Sequence, residues 1–141
     1  MTKSITHQFF YAYPPEAVWE FLTDPGLIAQ WLMPNDFLPI IGHDFQFTIK
    51  PMPDFDFDGV IYCKVLEIIP FRKLSYSWKS GPVKGELNID SVVTWTLNPK
   101  ENGTELLLDH SGKMDNLPIF DLMHKGWLTN MRKIAEFLKP V

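Results

Sequence analysis

The stretch DFDFDG, residues 54–59, has the residue types of a calcium loop. An EF-hand opens with oxygen ligands at positions 1, 3 and 5 and a glycine at 6 for the sharp turn. Asp54, Asp56, Asp58 and Gly59 fit that opening, and Ile61 supplies the usual apolar residue at position 8. The remainder fails. The bidentate Glu due at position 12 is Val65, and Glu67 comes two residues late. Pro51 and Pro53 break the helix required upstream, and the downstream side reads as a strand. The sequence therefore predicts a solvated turn ending in Asp-Gly, with no metal bound.

His110 carries the other candidate chemistry. It follows Leu106 and Leu108 in the alternating run TELLLDHS, which places it on an inward strand face. There it could orient a ligand by a hydrogen bond or act as a general base. It could equally be a neutral structural histidine, satisfied by a backbone carbonyl or by Tyr76. His7, His43 and His124 have no Cys or Glu at metal-binding spacing, and the pair Asp121/His124 is a common i, i+3 surface pattern. Cys63 is the single cysteine, lies in an apolar strand without an adjacent His, and is expected to be a buried, inert thiol. No serine nucleophile elbow and no glycine-rich phosphate loop are present.

The chain that must position these groups has 141 residues, 45% of them hydrophobic and 14% aromatic. That suffices for one domain, residues 1–141, with a substantial core. The net charge is −4, and no Lys/Arg cluster exceeds the adjacent pairs Arg72-Lys73 and Arg132-Lys133. A nucleic-acid footprint is therefore not expected. No signal-like start and no apolar run near the ~18 residues of a membrane span occur, so a soluble cytoplasmic protein is the expectation. On that reading Asn102-Gly-Thr104 is a hairpin turn and not a glycosylation site.

Periodicity orders the elements. SITHQFFYAY (4–13) is a predicted strand. In the next segment, Ala17, Val18, Phe21 and Leu22 recur at helical spacing after Pro14-Pro15. Pro25 ends that helix near Thr23, and Asp24 can cap a second short helix carrying Leu27, Ile28 and Trp31. About five strands follow between Pro39 and Ser111, at 44–49, 59–69, 73–78, 91–97 and 104–111. Their alternation places Phe45 with Phe47, Leu74 with Tyr76 and Trp78, and Val93 with Trp95 on buried faces of an antiparallel sheet. The chain closes with a long helix, Pro118 to Lys139, whose stripe is Phe120, Met123, Trp127, Met131, Ile134 and Leu138. The fold class is thus α+β: a curved antiparallel sheet wrapped around a long C-terminal helix, with two short helices after the first strand.

Four segments carry a family resemblance. They are PPEAVWEFLTDPGLIAQW, VLEIIPFRKLSYSW, VVTWTLNPKENGTELLLDHSG and GWLTNMRKIAEFL, in that order over nearly the whole chain. Together they resemble the START and birch-pollen-allergen-like helix-grip superfamily (SRPBCC), and within it the family of the C-terminal domain of the heat-shock protein 90 ATPase activator. Two departures stand out: Gly42-His43 where a Gly-Gly is frequent, and a Pro-rich acidic loop after the second strand. The resemblance implies a helix-grip fold with an apolar cavity. The superfamily includes lipid and hormone binders, polyketide aromatases/cyclases and oxygenase domains, so fold does not select a function.

Large aromatics on the inward faces point to a cavity between sheet and last helix. Its expected lining is Phe45, Phe47, Tyr76, Trp78, Trp95, His110, Met123 and Trp127, and its expected occupant is a small, largely apolar molecule of lipid, polyketide or aromatic type. No cofactor is expected. Two alternatives stand beside this non-enzymatic binder. One is a polyketide cyclase or hydrolase using His110 with Tyr76 as acid/base partners. The other is a module that stimulates a chaperone ATPase, as the family's name suggests. A homodimer is left open.

Overall fold

The computed structural model describes residues 2–138. Six strands form one antiparallel sheet: β1 (Thr2–Tyr11), β2 (Asp44–Thr48), β3 (Val60–Ile69), β4 (Lys73–Ser80), β5 (Ile89–Lys100) and β6 (Gly103–Met114). Their order across the sheet is β1-β6-β5-β4-β3-β2. Between β1 and β2 lie α1 (Pro15–Thr23) and α2 (Pro25–Trp31), and α3 (Leu117–Phe137) follows β6. This is the expected helix-grip arrangement. Lys139, the expected end of the last helix, lies outside the described residues.

The local chemistry explains the breaks. Pro15 opens α1, and the Asp24 carboxylate then accepts the backbone N–H groups of Gly26 at 2.9 Å and Leu27 at 3.3 Å to start α2. The Trp31 indole donates to the Phe21 carbonyl at 2.7 Å and locks the two helices together. Asn116 caps α3 through the N–H of Ile119 at 3.2 Å. The Asn102-Gly103 turn is a tight hairpin in which Lys100 pairs with Gly103. Glycine is required there because a Cβ would lie 2.1 Å from the Tyr11 carbonyl oxygen of the neighbouring strand.

The strands run further than the alternation suggests. β4 extends to Ser80, and β5 and β6 span Ile89–Lys100 and Gly103–Met114. The pairing of β4 with β5 and of β5 with β6 is continuous over these lengths, so cross-strand bonds carry the ladder past the apolar stretch. On α3, Trp127, Met131 and Ile134 are buried as expected, and Ile119 joins them. Phe120 and Met123 are only half-buried at the helix margin. Tyr11 fixes the helix to β1 by donating its hydroxyl to the Met131 carbonyl at 2.7 Å.

The inward rings pack against one another. Trp31–Trp95, Trp95–Trp127, Trp78–Trp127, Phe47–Trp78, Phe45–Phe47 and Phe45–Tyr76 have centroids 5.2–5.8 Å apart. Most of the contacts are edge-to-face or tilted, as ring quadrupoles favour. The wide rings thereby pack together where the sequence pattern led to the expectation of a cavity lined by them.

Candidate functional site: an apolar cleft beneath the C-terminal helix

Three of the eight expected lining residues, Trp78, Met123 and Trp127, meet at a cleft between α3 and the β2–β4 side of the sheet. Its volume is about 140 Å³. Leu32 and Met33 after α2, Ile49 and Met52 after β2, and Phe57 and Ile61 close its other walls. From α3 come Ile119, Leu122, Met123, Gly126, Trp127 and Asn130, and from β4 come Trp78 and Ser80. No Asp, Glu, Lys, Arg or His lines it. Three flexible methionine side chains at the rim can adjust to a guest's shape. Gly126, a mid-helix glycine, lines the cleft, and a Cβ there would meet nothing within 4 Å.

The other five expected residues lie in the aromatic core beside the cleft. Phe45, Phe47, Tyr76 and Trp95 are buried among the rings, and Trp95 donates its indole N–H to the Tyr76 hydroxyl at 3.0 Å. Burial raises the Tyr76 phenol well above its ordinary pKa.

His110 is fully buried and doubly engaged. The Trp127 indole donates to its Nδ1 at 3.0 Å. Nδ1 is therefore the unprotonated nitrogen, and Nε2–H donates to Ser91 Oγ at 2.8 Å. The Ser91 hydroxyl in turn donates to the Trp78 carbonyl at 2.9 Å. Burial pushes the His110 pKa down to about 3, which keeps the imidazole neutral. Its partners are thus Ser91 and Trp127, in place of the backbone carbonyl or Tyr76 considered from sequence. With both ring nitrogens occupied and Tyr76 bonded elsewhere, no acid/base pair is formed between them.

Two polar residues of this region escape the sequence reading. Ser80 and Ser91 sit on the buried faces of β4 and β5, in phase with Trp78 and Val93. Extending the alternation by one period beyond each apolar run finds them.

The acidic stretch forms a 3-10 turn, Pro53–Phe55, followed by Asp56 in the left-handed region at φ 50°. Asp58 accepts from its neighbours Val60 N–H at 3.0 Å and Tyr62 O–H at 3.4 Å. Among the described residues no three His, Cys, Asp or Glu side chains converge as metal ligands. Cys63 is buried, and burial, first, with Asp36 second, raises its thiol pKa far above the ordinary range. No described helix is long and apolar enough to cross a membrane.

Comparison with known proteins places this geometry. The family model described as Activator of Hsp90 ATPase homolog 1-like protein matches residues 12–139. The chain belongs to this family. The solved structure of MLL2253 from Mesorhizobium loti is 34% identical with a TM-score of 0.84, covering 96% of each chain. CalU16 from Micromonospora echinospora is 24% identical with a TM-score of 0.77, covering 99% of this chain and 78% of its own. The Aha1 dimer from Colwellia psychrerythraea has a TM-score of 0.78 at 16% identity, covering 96% of each chain. Among curated proteins, none matches.

Proposed function

We propose that this member of the family binds a small, uncharged, largely apolar molecule in the cleft beneath α3. The observation that carries the reading is the lining: two tryptophans, three methionines and no charged side chain around about 140 Å³ of open space. Burying an ion there without a counter-charge would be costly, so the guest is neutral. The reading is non-enzymatic. The cyclase or hydrolase alternative needs a free histidine nitrogen, and both nitrogens of His110 are held by Trp127 and Ser91.

Tryptophan emission tests the proposal, because Trp78 and Trp127 form the walls. Small aromatic hydrocarbons such as ethylbenzene should change the emission saturably, and Gly126→Leu, which fills the cleft, should abolish the change. Non-saturable behaviour with every apolar probe, or equal binding to Gly126→Leu, would overturn it. The Colwellia relative is a dimer, so sedimentation with and without the probe is the matching test for a homodimer here.

A further inference from the structure

The cleft is apolar on its walls and polar at one place on its floor. Ser80 is only 3% exposed and points from β4 into the cleft, in phase with Trp78. Its carbonyl accepts from Asn88 N–H at 3.0 Å, but its hydroxyl bonds to no described residue. The Trp78 indole N–H has no partner among the described residues either, although that ring is 2% exposed. Asn88 Oδ1 is the one described side-chain polar atom sealed from solvent without a partner. The Ser80 hydroxyl and the Trp78 N–H therefore reach the open space of the cleft.

The buried Ser75 hydroxyl and Trp19 indole also lack a described partner, but of these groups only Ser80 and Trp78 line the cleft. The indoles of Trp31, Trp95 and Trp127 all donate to protein acceptors. Buried polar groups are nearly always hydrogen-bonded, and an exception calls for a reason. Ser80 and Trp78 lie two residues apart on one strand face, about 6.5 Å along the strand. One ligand oxygen near them could donate to Ser80 Oγ and accept from Trp78 Nε1.

Size narrows the rest of the guest. An apolar cavity of about 150 Å³ accommodates benzene, and this cleft has about 140 Å³. A fused polycycle or a long acyl chain exceeds it without rearrangement. A carboxylate would enter without a counter-charge. A phenolic hydroxyl, with an ordinary pKa near 10, stays neutral at pH 7 and supplies both a donor and an acceptor.

We propose that the cleft selects a monocyclic phenol, with Ser80 anchoring the phenolic oxygen and Trp78 and Trp127 walling the ring. This deepens the reading of the cleft as an apolar binding site and rests on it.

Calorimetric titration with 4-ethylphenol, ethylbenzene, 4-ethylbenzoate and the larger apolar probe 1-aminoanthracene tests it, on the wild-type chain and on Ser80→Ala. Ser80→Ala removes no protein hydrogen bond, and a matching melting curve verifies its fold. We expect 4-ethylphenol to bind more tightly than ethylbenzene and to lose about three- to tenfold in affinity in Ser80→Ala. Ethylbenzene should bind both proteins alike, and 4-ethylbenzoate should bind neither. Equal binding of 4-ethylphenol to both proteins would overturn the role of Ser80 while leaving the apolar site standing. Binding of 1-aminoanthracene alone would overturn the ring size and leave the site standing. Binding of none of the four would overturn both.

Discussion

The Trp127 indole N–H points at His110 Nδ1 from 3.0 Å, joining the C-terminal helix to β6 through a bond buried from solvent. The bond fixes the imidazole tautomer and orients one wall of the cleft. Ser91 and the Trp78 carbonyl complete the relay, so a movement of His110 would disturb both cleft tryptophans.

The first consequence is a pH dependence. Unfolded, His110 titrates near 6.5; folded, near 3. The unfolded chain binds the extra proton between these values, so stability rises with pH across that window and is complete above pH 6.5. Between pH 7.5 and pH 5 this residue should cost about 2 kcal/mol of stability. Urea melts at both pH values should show that slope in the wild type and lose it in His110→Leu. An identical slope in both proteins would mean that His110 takes up its proton in the folded state.

The second concerns the two roles of Trp127. The residue is 3% exposed. Trp127→Ala should destabilise by about 3–5 kcal/mol through lost packing. Trp127→Phe keeps a ring but orphans His110 Nδ1, and should cost about 1–3 kcal/mol. Denaturant melts separate the two effects. A neutral Trp127→Phe would show that the hydrogen bond contributes nothing net.

The fold was legible because its signals are local. Asp24-Pro25 separates α1 from α2 through a cap and a proline, and period-two burial identifies β2 and β4 without knowledge of their partners. The site was less so. Phe45, Phe47, Tyr76 and Trp95 are inward, as alternation requires, but alternation cannot distinguish a ring that packs on another ring from one that borders a void. That depends on centroid distances set by the curvature of the sheet. Ser80 was missed for a different reason. The apolar run stops before Ser80 and alternation alone ends the strand there, whereas pairing with Ile89 carries β4 through it.

The third prediction addresses the acidic turn. Gly59 has φ +85°, and a Cβ there would lie 2.4 Å from the Ile49 carbonyl oxygen. Gly59→Ala should therefore destabilise by more than about 1 kcal/mol through strain alone. Calcium at millimolar concentration should leave the melting temperature of the wild type unchanged, since a bound ion would raise it by mass action. A saturable rise that disappears in Asp56→Asn would show that the three aspartates form a site after all.

The last prediction sets stability against function at a single atom. Gly126 lies mid-helix in α3, where glycine is less favourable than alanine by about 0.8–1.0 kcal/mol. Packing offers no reason for the glycine, because a Cβ would find open space on all sides within 4 Å. Gly126 itself lines the cleft. Gly126→Ala should therefore raise stability by up to about 1 kcal/mol while narrowing the site. Paired urea melts and 4-ethylphenol titrations measure both effects on one protein. A more stable variant with weaker binding would identify Gly126 as a residue kept small for the guest. A variant that gains stability and binds as tightly as wild type would place the guest away from this face of α3.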